Sequence, residues 1–142
     1  MLSGSHSSLK RKKVDRNEYF VTQFIAPGLF EQCHHLQEIQ NALINFYEEP
    51  ECTHELIEYL TEWELQYAEK ICKYIKPDAI FHHDDWGSQT STFISPDMFE
   101  EFFLPSYKKI YGYYRDHGGR SCDSPCGFLR SNFGSVYDRD GN

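Results

Sequence analysis

Several things are scarce in this chain. No apolar run approaches the roughly 20 residues that span a bilayer, and the N-terminus lacks the apolar core of a signal peptide. Cations are few: the 142 residues carry 14 Lys and Arg against 22 Asp and Glu, a formal net charge of −8. That balance argues against nonspecific nucleic-acid binding, which needs clustered cations to displace counterions from phosphates. It argues equally against adhesion to an anionic membrane. A soluble, cytoplasmic protein is expected. Regular cysteine spacing is also missing. Five cysteines is an odd number, and Cys33, Cys52 and Cys72 stand in helix-like surroundings, so free thiols of a reducing compartment are expected. What is present is 39% apolar and 16% aromatic content, enough to build a core for one domain or a piece of a larger one.

Residues 1–16 are Ser/Gly-rich and then basic, and read as a flexible tail whose "KRKK" is solvated charge. "YFVTQFIA", Tyr19 to Ala26, is β-branched and aromatic and is halted by Pro27-Gly28, as a strand followed by a turn. "LFEQCHHLQEIQNALINFYEEP" is helical in composition up to Pro50. Thr53 is the expected cap of the next helix, with Glu55 in its first turn. Leu56, Leu60, Trp63, Tyr67, Ile71 and Ile75 recur at three and four residues and mark its core face. Pro77 stops it. "DAIFHH", residues 78–83, is continuously apolar up to a polar end, the signature of a parallel strand. "SPDMFEEFF" then opens a helix with Ser95 at the N-cap and Pro96 at N1. Pro105 is expected to break or kink it, and Gly118 to end its second section.

Strand, helices, strand, helix is the order of a parallel α/β sheet, either a (β/α)8 barrel or an open doubly wound one. Two parallel strands can neither close a barrel nor cover both faces of a sheet, so the chain reads as an excised part of a larger α/β domain. In such folds chemistry gathers where the strands end. His82, His83, Asp84 and Asp85 fall there, and strand alternation puts His82 with Asp84 on one face and His83 with Asp85 on the other. One pair can face a site while the other supports it from behind. Three roles remain open at this stage: acid/base or substrate-binding chemistry, ligation of a divalent metal, and ordinary hydrogen-bonded loop polarity. "CHH" at 33–35 lies in a helix, where adjacent side chains diverge by about 100° and do not converge on one ion.

"KPDAIFHHDDWGSQTSTFISPDMFEEFFLPSYKKIYGYYRDHG", residues 76–118, resembles the uroporphyrinogen decarboxylase (URO-D) family. The resemblance is carried by Asp84, Asp85, Trp86, Gly87 and Gln89, then by Ser95, Pro96, Phe99, Phe102 and Pro105. "FIAPGLFEQ" and "NFYEEPECTHELIEYLTEW" are similar to the segment that precedes them in the family, for a coverage of residues 17–118. The resemblance implies an α/β fold, a (β/α)8 TIM barrel at least about twice this length with its site at the C-terminal mouth, of which this chain is a fragment of about two βα units. Members decarboxylate the acetate arms of uroporphyrinogen without a cofactor, or move methyl groups to and from corrinoid proteins or thiols, often with zinc. The Asp-Asp-Trp-Gly form looks more like the corrinoid-linked methyltransferases, with porphyrin and heme biosynthesis the alternative. On this basis Asp84 and Asp85 are the expected catalytic residues, and His82, His83, Trp86 and Gln89 the expected substrate contacts. No metal or cofactor is expected on this chain itself; zinc and a corrinoid protein, or a tetrapyrrole substrate, belong to the parent enzyme. By itself the chain is expected to be inactive and poorly stable. A reading of another class is a non-catalytic helical interaction domain using the aromatic face of residues 99–114.

Residues 119–142 depart from that pattern. "GRSCDSPCGFLRSNFGSVYDRDGN" has Leu129 and Val136 as its only aliphatic residues. Codons permitted for residues 122–141, read one nucleotide later, can spell "VIHHADSYAATLVPYMIEMG", a buried strand, a His-His strand end and an amphipathic helix. The expectation is a frameshift near residue 119 and an irregular, out-of-frame tail. Cys122 and Cys126 then have no ligand role, and CxxxC alone is weak evidence for a zinc or redox site.

Overall fold

The computed structural model describes residues 15–88 and 90–117. Strand β1 is Thr22–Ile25, and helices α1 (Leu29–Gln37), α2 (Ile39–Glu48) and α3 (Pro50–Lys70) follow. Helix α3 runs on through a π turn, Ile71–Ile75, into β2 (Ala79–His82), then α4 (Pro96–Phe102) and α5 (Leu104–His117). β1 and β2 pair in parallel, Thr22 opposite Ala79 and Ile25 opposite His82. The helical crossover and the parallel sheet are those expected, though both strands are shorter than "YFVTQFIA" and "DAIFHH" suggested. Below β1, Asp78 ties the sheet's lower end together. Its carboxylate accepts from Val21 N–H at 2.8 Å and from Arg16 at 2.9 Å, and its own N–H donates to Val21 O.

Two helix boundaries differ from the expectation. The stretch before Pro50 is two helices, because Glu38 adopts φ 65°, a left-handed turn that an unbroken helix cannot contain. Helix α3 starts at Pro50, which needs no N–H at N1, so Thr53 is not its cap. Thr53 is buried inside the first turn, and its hydroxyl donates to Asn45 O and Glu49 O, tying α3 to α2. The core stripe of α3 is also displaced. Thr53, Ile57, Leu60, Thr61, Glu64, Ala68 and Ile71 are buried, whereas Trp63, Tyr67 and Ile75 are exposed. Both stripes fit a 3.6-residue period, and contacts with α1, α2 and α5 select the first.

The other punctuation falls as read. Lys76 takes a left-handed conformation before Pro77 and closes the π turn. Ser95 Oγ accepts from Met98 N–H at 3.3 Å with Pro96 at N1. The break before Pro105 falls at Phe103, between α4 and α5. Gly118 lies outside the described residues. The core is strongly aromatic. Trp86 stacks on Phe30 at 4.8 Å and meets Phe99 and Phe103 edge-on at 5.0 and 4.8 Å. Such pairs add specific geometry to a large apolar burial. The aromatic face of residues 99–114 therefore lies inside the fold, with Phe99, Phe102, Phe103, Tyr107, Ile110 and Tyr114 all buried.

Candidate functional site at the end of the second strand

Beyond β2 the chain keeps the alternation of an extended strand, and the four polar residues divide accordingly. His82 and Asp84 point into the helical layer and are buried, while His83 is half-buried and Asp85 exposed. His83 N–H donates to Ile25 O at 2.8 Å, extending the parallel ladder by one residue, and its ring stacks on Phe24 at 6.2 Å. His83 and Asp85 are thus the members of the set presented outward at the sheet's C-terminal end.

Asp84 joins three elements. Its carboxylate accepts from Phe30 N–H and Glu31 N–H, each at 2.9 Å, from Asp85 N–H at 3.0 Å, and from the Tyr107 hydroxyl. Phe30 and Glu31 are the second and third residues of α1, whose own N-cap, Gly28, supplies no side-chain acceptor. A residue 54 positions downstream therefore does the work of an N-cap. Gly28 permits the approach: a Cβ there would collide with the Asp84 side chain. Burial pushes Asp84 up to about 6, against the pull of its hydrogen bonds from Tyr107, Phe30 and Glu31. Burial, reinforced by the Asp84 charge, in turn holds the Tyr107 phenol well above its ordinary range.

Behind Asp84 lies a second buried pair. His82 Nε2 contacts Glu64 Oε1 of α3, and Tyr111 of α5 reaches His82 Nδ1 at 3.4 Å. Glu64 is 1% exposed and His82 4%, so the pair is shielded from water, and Glu64 Oε2 has no hydrogen-bond partner among the described residues. Glu64 is in phase with the buried Ile57, Leu60, Ala68 and Ile71, but the apolar period through Leu56, Leu60, Trp63, Tyr67, Ile71 and Ile75 passes it by, so the sequence does not single it out. Gly28, Tyr107 and Tyr111 carry no local signal either, because their roles depend on partners far along the chain.

Trp86 is buried in the aromatic core, and Gln89 lies outside the described residues. In α1, burial pushes the Cys33 thiol up to about 12, with the Asp84 charge adding to it. Partial burial, then the neighbouring His35, lowers His34, whose ring lies edge-on to His35 at 4.7 Å. Asp85 acts on His34 in the opposite sense, which places α1 beside the strand end. Among the described residues no group of three His, Cys, Asp or Glu side chains is placed to hold a metal ion. Nor is any helix long and apolar enough to cross a membrane.

Parallel strands joined by helices make this an α/β arrangement, with polar groups gathered where the second strand ends. A family model described as uroporphyrinogen decarboxylase (URO-D) matches residues 32–132. The chain belongs to that family. The matched span starts inside α1, runs through α5 and continues past Gly118 into the stretch expected to be out of frame, which lies outside the described residues. No curated protein and no solved structure matches the chain.

Proposed function

We propose that the two βα units belong to a (β/α)8 barrel of the URO-D family, contributing one wall of its C-terminal mouth, and that the parent reaction is methyl transfer involving a corrinoid. Asp84 then acts from behind as a strap that fixes the strand end, while His83 and Asp85 face the mouth as proton-exchanging or substrate-binding groups. The observation that carries the choice is a distribution of charge. Residues 17–69 and 77–107, which include both strand ends, contain no Lys or Arg. Uroporphyrinogen bears eight carboxylates, and a mouth face that presents Asp85 with only histidine beside it repels such a polyanion. A corrinoid or its methyl acceptor makes no such demand. Porphyrinogen decarboxylation is the second reading, supported by the family itself.

Methylcobalamin and uroporphyrin I, each titrated into the 142-residue chain and followed by visible absorbance, separate the two. A saturable change with methylcobalamin that His83→Ala and Asp85→Ala remove is the expected result. A response to uroporphyrin alone reverses the assignment, and silence from both removes ligand recognition from this wall.

A further inference from the structure

One more imidazole stands at the strand end. His34 lies on α1, one turn beyond Phe30 and Glu31, whose N–H groups are held by the Asp84 carboxylate at 2.9 Å. The oxygen that accepts from Glu31 N–H also accepts from Asp85 N–H, so the first turns of α1 lie beside Asp85. Trp86, the residue after Asp85, stacks on Phe30 at 4.8 Å, and the His34 ring meets Phe30 edge-on at 5.4 Å. His34 and Asp85 thus border the same buried aromatic stack.

Both groups are uncommitted. Neither the His34 ring nitrogens nor the Asp85 carboxylate has a hydrogen-bond or ion-pair partner among the described residues. His34 is half-buried and Asp85 exposed. His82, in contrast, is taken up by Glu64 and Tyr111. Partial burial favours the neutral form of His34, and the neighbouring His35 acts in the same sense, while Glu31 and Asp85 act against them. His35 itself has Glu31 Oε1 at 4.0 Å. A neutral imidazole keeps a lone pair that bonds a proton. The imidazolium so formed has carboxylates from two elements beside it, and residues 17–69 and 77–107 hold no Lys or Arg to oppose it.

We propose that His34 is the proton acceptor of this strand end, with Asp85 and Glu31 beside the imidazolium it becomes. A ligand at the rim gives up the proton of an O–H, N–H or S–H group to the imidazole lone pair and is left as its conjugate base, with no further reactant. The role rests on the proposal that this end of the sheet is the mouth of a site, and it holds for either parent reaction.

Histidine side-chain titration by NMR on the full 142-residue chain tests it. The His34 midpoint should lie below the ordinary 6.5. Asp85→Asn should lower it further by about 0.3–0.5 pH units, the effect of one nearby carboxylate acting through water at low salt. Glu31→Gln should lower it as well, which keeps the coupling readable if one variant folds poorly. Diethyl pyrocarbonate, which acylates neutral and reachable imidazoles, gives a second readout. His34 should react at pH 7, and its acylation should be lost in proportion to occupancy as methylcobalamin is added, or uroporphyrin I where that one binds. Acylation of His117, at the far end of α5, should stay unchanged. A midpoint at or above 6.5, a midpoint that both substitutions leave unmoved, a ring that the reagent does not acylate, or acylation indifferent to a bound ligand overturns the proposal. If neither ligand binds, the mouth reading falls, and the midpoint and its shifts still decide whether His34 is the acceptor.

Discussion

Asp84 sets two physical effects against each other, and the pH dependence of stability reports which prevails. Three backbone N–H groups and the Tyr107 hydroxyl favour its ionised form, while nearly complete burial favours the neutral form. Burial prevails, raising the carboxyl from the usual 3.8 to about 6. The folded chain therefore holds a proton on Asp84, between those two values, more tightly than the unfolded chain does. Stability contributed by that proton is fully present below pH 3.8 and is lost as pH rises through about 6. At about 1.4 kcal/mol per pH unit, the loss amounts to about 3 kcal/mol. Asp84→Asn keeps one acceptor oxygen and cannot titrate, so it serves as the reference. Urea unfolding followed by circular dichroism at pH 4, 5, 6 and 7 should show the difference, wild type minus Asp84→Asn, falling by about 2.4 kcal/mol across the series, part of the full effect being already lost at pH 4. A difference that stays flat, or that rises with pH, refutes the reasoning. It would mean that the four donors outweigh desolvation and that the carboxylate is a stabilising ion.

Three other substitutions probe the same framework. Gly28→Ala pushes a Cβ into Asp84 and should destabilise by about 1–3 kcal/mol, as overpacking does, measured by urea unfolding. Combined with Asp84→Ala it should cost far less than the sum, since the collision partner is then gone. Glu64→Ala leaves His82 buried without its carboxylate and should cost about 3–5 kcal/mol, whereas Glu64→Leu with His82→Leu should recover most of that loss in thermal melts. Ser95→Ala removes the acceptor of Met98 N–H and should lower stability by about 1 kcal/mol, read from the urea midpoint at unchanged slope.

Sequencing the coding DNA across residues 119–142 decides the tail separately. A reading frame one nucleotide on that encodes the strand-and-helix peptide supports the frameshift, and its absence ends that idea.

Features whose physics is local can be read from the residues alone. Continuous apolar character followed by a proline or a polar end marked β1 and β2, and a parallel pair joined by helices followed. Ser95, Pro96, Pro77 and Pro105 act through their own backbone, so the caps and breaks near them were legible. Strand alternation alone separated His82 and Asp84 from His83 and Asp85, because the period of two needs no partner. What each pair touches depends on partners that the fold brings from elsewhere in the chain. Nothing within ten residues of Asp84 says that it caps a helix starting at Leu29, or that Gly28 must lack a Cβ to let it in. The same holds for α3. Its sequence offers an apolar stripe through Leu56, Leu60, Trp63, Tyr67, Ile71 and Ile75 and a neighbouring, partly polar one through Thr53, Ile57, Leu60, Thr61, Glu64, Ala68 and Ile71, and apolar periodicity favours the former. Only neighbouring helices fill one stripe and leave the other, with Trp63 on it, in water. A chain's local preferences are set by its covalent neighbours, whereas burial is set by whatever arrives from elsewhere to exclude the solvent.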